Sequence, residues 1–296
     1  MNNNYKFLTK PKGGGFAFAF LMLIYIFISF FGSTIVGAIF NSDGVIYTAI
    51  CSCFSIVSMA IITLVYKVMT KEKLVLLTRA KSFKWFYALI AVLLSSSMLF
   101  GLGFVNDAFI KILESVGAFI PSANFPIDSV ENVVIFSVAL ALLPAIFEEV
   151  FFRGLLLRCF DGVKPVYTII LVALSFSFYH CSAAQLVYQF IYGAALTMLA
   201  LASGSVFPCI IAHFLNNFTI ILLEYFKAYI DFYNPTFISV GIIALVVIFV
   251  FLAFTIKKNK KEQTNESVKG FYLLGALGIF VCALMLVSAL FLPSGA

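Results

Sequence analysis

Apolar runs about twenty residues long, separated by short polar turns, recur from one end of this chain to the other. Each is long enough to carry a helix across the hydrocarbon core of a bilayer. They cover roughly residues 16–40, 45–66, 85–105, 132–157, 165–181, 185–203, 205–226, 236–256 and 270–292. Of the 296 residues, 63% are hydrophobic and 11% charged, too few charges to clothe a soluble domain. Hydrocarbon offers no partner to backbone N–H and C=O groups, so a spanning segment must satisfy its own, and runs of this length do so as helices rather than barrel strands. The expected fold is all-α: a polytopic transmembrane helical bundle of eight or nine spans, with a polar cavity inside the membrane.

Charge supports this count and orients it. With the amino terminus on the cytoplasmic side, every one of the 19 basic residues except Lys111 and Lys227 falls on that side, in 1–15, 67–84, 153–164 or 257–269. Asp43, Asp107, Glu114, Asp128, Glu131, Glu224 and Asp231 collect on the other. This is the positive-inside pattern, and it predicts a multi-pass cell-membrane protein with its carboxyl terminus outside. Topology accounts for the net charge of +6, so no nucleic-acid partner is invoked. Lys6, Lys10 and Lys12 precede the first run as in a signal peptide, but that run is longer than a signal core and lacks a small-residue cleavage site, so it reads as the first span. Residues 107–120, with apolar positions at helical spacing and Pro121 following, are expected to form a separate helix lying on the outer leaflet. The six cysteines show no CxxC pair and read as packing residues. The domain plan is a cytoplasmic amino terminus (1–15), a membrane domain (16–256, motif core 131–226), a basic cytoplasmic loop (257–269) and a last helix (270–296). Oligomeric state is not legible.

Ionisable groups within a membrane helix are expensive and mark pathways or reaction centres. Away from the helix ends the spans carry Glu148, Glu149, Arg153, His180 and His213, with the amides Asn216 and Asn217, and these include both histidines of the chain. Glu149 and Arg153 are four apart and can pair on one face, while Glu148 lies about 100° round the helix. One carboxylate is then structural and the other free. His213 and Asn217 share a face, with Cys209 on the same stripe, and so do Phe176 and His180. At ~1.5 Å per residue, Glu148 lies roughly 15 Å from the cytoplasmic boundary, His213 about 12 Å, Asn217 about 18 Å and His180 about 22 Å. Pro144 has no N–H for the Leu140 carbonyl and should kink the fourth span beside the cluster.

The stretches "EEVFFR" (148–153), "FSFYH" (176–180) and "HFLNN" (213–217) resemble, in order and each on its own span, the motifs EExxxR, FxxxH and HxxxN/D of the CPBP intramembrane proteases. That group includes CAAX prenyl endopeptidases, Abi proteins and bacteriocin-processing or self-immunity proteins. The resemblance covers about a third of the chain and implies an endopeptidase acting within the membrane on a membrane-associated protein or peptide. It implies that Glu148 and His180 activate water and that His213 and Asn217 form the oxyanion site. Glu149 and Arg153 hold the geometry, and Phe176 packs beside His180 or the substrate. Such roles suit these residue types, because hydrolysis needs a base, a proton donor and oxyanion donors. No cofactor is expected. The alternative is a zinc ion on Glu148, His180 and His213, since two histidines and a carboxylate are a known catalytic zinc set and the family has been described both as metalloproteases and as metal-free, glutamate-dependent proteases. Two other functions fit the composition: a non-enzymatic self-immunity or scaffold protein, and, less well for want of an inverted repeat, a proton-coupled transporter.

Overall fold

The computed structural model describes residues 7–42, 44–118, 120, 125–228, 230–259 and 267–291. Lys6, Asp43, Pro121, the middle of the basic 257–269 loop and the stretch 292–296 lie outside the described residues. Among the described residues all repetitive structure is helical. We number the membrane helices α1 (Pro11–Gly37), α2 (Val45–Thr70), α3 (Phe86–Ser115), α4 (Val130–Cys159), α5 (Pro165–Tyr179), α6 (Leu186–Ser203), α7 (Phe207–Tyr225), α8 (Pro235–Lys258) and α9 (Lys269–Phe291). All but α5 are long and apolar enough to cross a bilayer. The chain is a multi-pass membrane protein built as a helical bundle.

Local chemistry sets the helix starts. Pro11, Pro165 and Pro235 open α1, α5 and α8, and Pro208 lies in the first turn of α7, where the missing N–H is not needed. The Ser129 hydroxyl accepts from the Asn132 N–H at 3.2 Å at the start of α4, and Asn234 Oδ1 accepts from the Thr236 N–H at 2.9 Å at the start of α8. Gly204, at φ +70°, ends α6 in the left-handed conformation.

One expectation is corrected. Residues 107–115 are not part of a separate interfacial helix: α3 runs unbroken from Phe86 to Ser115. No proline interrupts it. Asp107 and Lys111 pair at 2.8 Å one turn apart, and the Tyr233 hydroxyl donates to Asp107 at 2.7 Å, so the polar continuation stays helical beyond the apolar run.

Two features of the packing bear on the site. The carboxyl-terminal end of α4 is tied down by Arg158, which bonds Glu72 at 2.9 Å and Asp161 at 2.7 Å, while Arg79 reaches Asp161 at 2.8 Å. α3 and α8 cross glycine on glycine: a Cβ placed on Gly101 would lie 2.8 Å from Gly241 Cα. Helices without side chains at the crossing approach closely enough for backbone dispersion to hold them. The last helix, α9, packs on α1 and more lightly on α5.

Two elements that carry residues of the polar cluster depart from a regular spanning helix. α5 has fifteen residues, about 22 Å at 1.5 Å per residue, too short to cross about 30 Å of hydrocarbon as one helix. The chain then turns through 180–185, with Cys181 at φ +47°, and returns as α6. α4 changes hydrogen-bond register twice. It is α-helical over Val130–Phe136, π-helical over Ser137–Leu142, α-helical over Leu143–Glu149 and π-helical over Val150–Leu156. Pro144 sits just after the first π segment, which is the form its expected kink takes. π segments inside helices often accompany functional sites.

Candidate active site

α4 contributes Glu148, Glu149 and Arg153 from either side of its second register change. Glu149 and Arg153 are fully buried and bond at 2.8 Å, Oε1 to Nη1. The other guanidinium arm donates to the Gly193 carbonyl on α6 at 3.1 Å, and the Arg153 cation lies 4.2 Å from the centre of the Phe176 ring. A buried arginine needs both an anion and further acceptors, and this one has them. Phe176 fills the middle of the cluster, its ring also edge-on to those of Phe152, His180 and His213 at 5.2, 4.8 and 5.9 Å.

α7 brings in His213. Its Nδ1 lies 2.8 Å from Glu149 Oε1, so the same carboxylate oxygen receives both Arg153 and His213. His180, at the C-terminal cap of α5, has its Nδ1 2.8 Å from the Phe176 carbonyl. A carbonyl oxygen only accepts, so Nδ1 of His180 carries the hydrogen; the Glu149 carboxylate fixes the Nδ1–H of His213 in the same way. Both rings therefore present Nε2 elsewhere, and both point it at Glu148: Oε2 of Glu148 is 3.9 Å from Nε2 of His180 and 3.9 Å from Nε2 of His213. That Glu148 oxygen is buried and has no hydrogen-bond partner. The separations exceed a hydrogen bond and leave room for one small bridging species.

The structure thus brings Glu148, Glu149, Arg153, Phe176, His180 and His213 together. Asn217 is engaged differently: its Nδ2 donates to the Leu140 carbonyl at 3.0 Å. Several partners were not legible in advance. Glu149 joins His213 as well as Arg153. Tyr188 donates to Asn216 Oδ1 at 2.9 Å, and Asn216 donates to Asn217 Oδ1 at 3.3 Å. The Gly193 carbonyl accepts from Thr197 at 2.7 Å in addition to Arg153. Tyr188 could have been flagged as a hydroxyl within an apolar helix, whereas a backbone carbonyl such as that of Gly193 gives no signal in sequence.

The donor chemistry of Glu148, His180 and His213 is of a kind zinc accepts. The spacing is less suited. Tetrahedral zinc with bonds of 2.0–2.1 Å holds its ligand atoms about 3.3 Å apart, against 3.9 Å here. Among the described residues no trio of His, Cys, Asp or Glu side chains is arranged to hold a metal.

Residues 130–219 match the family model described as Type II CAAX prenyl endopeptidase Rce1-like. No curated protein and no solved structure matches the chain. The matched stretch opens at the first residue of α4 and closes within α7, and it contains all three motifs and every side chain of the cluster. Over residues 130–219 the chain is thus similar to the Rce1-like type II CAAX prenyl endopeptidase family, consistent with the resemblance to the CPBP group.

Proposed function

We propose that this protein is an intramembrane endopeptidase that hydrolyses a peptide bond in a membrane-associated protein or peptide. The observation that carries the reading is the buried, partnerless Glu148 Oε2 facing the Nε2 atoms of two histidines whose tautomers are held from behind. A water about 2.8 Å from two atoms 3.9 Å apart subtends about 90°, a workable hydrogen-bonding angle. Such a water donates one hydrogen to Glu148 and the other to Nε2 of His180. Glu148 takes its proton as the oxygen attacks the peptide carbonyl carbon. The carbonyl oxygen gathers negative charge and receives a hydrogen bond from His213 Nε2. That donation requires the doubly protonated ring, for which Glu149 at Nδ1 is the counter-charge. Glu148 then gives its proton to the leaving nitrogen, the C–N bond breaks, and a carboxylic acid and an amine result. Arg153 holds Glu149 in place, and Phe176 shapes the wall against which both imidazoles rest.

The matched family is described as a CAAX prenyl endopeptidase. A lipidated peptide suits a site enclosed by apolar helices, and a membrane-bound leader peptide is the other candidate. The orientation that fits the basic connectors is a cytoplasmic amino terminus in the cell membrane. Incubating the purified protein with prenylated and leader-type peptides, with and without chelator, tests the proposal by mass spectrometry of the products. Chelator-insensitive cleavage that disappears in Glu148→Gln is expected. A panel left intact by the wild-type protein, or cleaved equally by Glu148→Gln, would overturn the reading.

A further inference from the structure

A cavity of about 710 Å³ lies where α4, α6 and α8 finish and α5 begins. Arg158 in its wall is about 15 Å along α4 from Glu148, so the cavity is separate from the Glu148 cluster. Its place at four helix ends puts it at the level of the lipid headgroups, and the basic connectors 67–84, 153–164 and 257–269 all contribute to its wall. The wall has two characters. Arg79, Lys81, Arg158 and Asp161 make part of it charged, while Leu76, Leu157, Val163, Leu201 and Ile256 make part of it apolar. Glu72 bonds Arg158 from outside the wall, so three cations stand against two carboxylates and the group carries a net positive charge.

Asp161 braces the two arginines. Its Oδ1 accepts from Arg79 Nη2 at 2.8 Å and its Oδ2 from Arg158 Nη1 at 2.7 Å, so both carboxylate oxygens are engaged and the guanidinium groups are held beside each other. Arg79 makes no other side-chain hydrogen bond among the described residues, and most of its five N–H donors are left for a ligand. Lys81 and Ser82 are exposed, and their side chains have no protein partner among the described residues. The backbone beneath them is fixed. The Val206 N–H donates to the Arg79 carbonyl at 3.1 Å, and the Ser205 hydroxyl donates to the Lys81 carbonyl at 2.6 Å. Arg79 is held at φ +54°, in the left-handed region that a residue with a side chain seldom enters. The basic wall is thus built before any ligand arrives, which lowers the ordering cost of binding one.

We propose that this cavity binds the phosphate headgroup of an anionic phospholipid. The arginine pair and Lys81 offer charge-assisted donors to phosphate oxygens. The apolar part of the wall meets the glycerol and the upper acyl chain, and basic pockets between membrane helices suit such headgroups. A free phosphate ion would engage the same cations but leave the apolar wall unused, which makes it the weaker occupant.

The test uses the full-length protein in micelles of a neutral detergent and reads no catalytic activity. Phosphatidylglycerol, phosphatidylcholine or inorganic phosphate is added at matched ionic strength, and Tm and lipid retention in native mass spectrometry are measured. Phosphatidylglycerol should raise Tm and be retained. Phosphatidylcholine, whose choline cation cancels the phosphate charge, should do neither. Lys81→Ala should leave the lipid-free Tm unchanged, because that side chain is exposed and unpaired. It should weaken phosphatidylglycerol binding about fivefold, the worth of one basic side chain near a membrane surface. Arg79→Gln should weaken it by about tenfold or more, and if that variant does not fold, Lys81→Ala still decides. Lys73→Ala removes an exposed lysine of the same connector that lies outside the cavity, and should leave the affinity unchanged. Equal losses in Lys81→Ala and Lys73→Ala would mean attraction to a basic surface without a site, and would overturn the proposal. Protection by phosphatidylcholine as strong as by phosphatidylglycerol would overturn it too. Inorganic phosphate protecting as strongly as phosphatidylglycerol would overturn the lipid as the source of the phosphate.

Discussion

Arg153→Met is the perturbation for which the structure gives the sharpest number. The side chain is fully buried, and its guanidinium serves Glu149 Oε1 at 2.8 Å, the Gly193 carbonyl at 3.1 Å and the Phe176 ring face at 4.2 Å. Methionine keeps most of the volume but leaves the Glu149 carboxylate buried with only His213 beside it. Removing one partner of a buried pair typically costs about 3–5 kcal/mol, because the remaining charge is uncompensated. The Gly193 carbonyl does not add to this, since Thr197 continues to donate to it at 2.7 Å. Replacing both charges is different: Glu149→Gln together with Arg153→Met leaves no net charge to solvate, and the new amide oxygen still accepts from His213 Nδ1. The double variant should lie within about 1–2 kcal/mol of wild type, and so be more stable than the single one. Equilibrium unfolding in mixed micelles, followed by circular dichroism, measures all three. Cleavage by the double variant should nevertheless be slow, because the doubly protonated His213 called for in the oxyanion step would have no counter-charge. A double variant no more stable than Arg153→Met would refute the assignment of Glu149 and Arg153 as one compensated pair.

Other expectations follow from single contacts. Glu148→Gln should lower kcat by about 10²–10⁴-fold, the usual contribution of a general base. It should not lower Tm, because it replaces a partnerless buried carboxylate oxygen with a neutral amide. Gly241→Val should separate α3 from α8, where even one added carbon on Gly101 meets Gly241 backbone at 2.8 Å. Tm should drop while kcat of the folded fraction stays at the wild-type value, since neither helix carries a residue of the cluster. A reporter enzyme active only in the cytoplasm, fused to the amino terminus, should be active, and the same reporter at the carboxyl terminus silent; the reverse pattern would invert the proposed orientation.

Much of this architecture could be read from hydropathy, because the bilayer imposes one strong rule: long apolar runs become helices. The rule works poorly where a helix continues past its apolar part, as α3 does through Asp107 and Lys111. The proline at 144 announced an irregularity, but not that α4 would meet it with a π segment and would shift register again after Glu149. Spacing within one helix was informative for Glu149 with Arg153. Spacing says nothing about what faces a side chain from a different helix. For that reason the second bond of Glu149, to His213, and the hydrogen-bond chain from Tyr188 to Leu140 emerged only in three dimensions.

The same distinction explains why the polar residues of this membrane core divide as they do. Glu149, Arg153, Asn216 and Asn217 all have partners on a neighbouring helix or along their own, and satisfied polar groups can be buried at small net cost. Glu148 Oε2 has none; Glu149 Oε2 and Arg153 Nε are also without one, but those two residues bond through their other atoms. A buried carboxylate oxygen without a protein partner is costly, which distinguishes Glu148 from a side chain placed there only for packing. Such a group, facing the Nε2 atoms of two histidines at 3.9 Å, is the arrangement on which the proposed reaction depends.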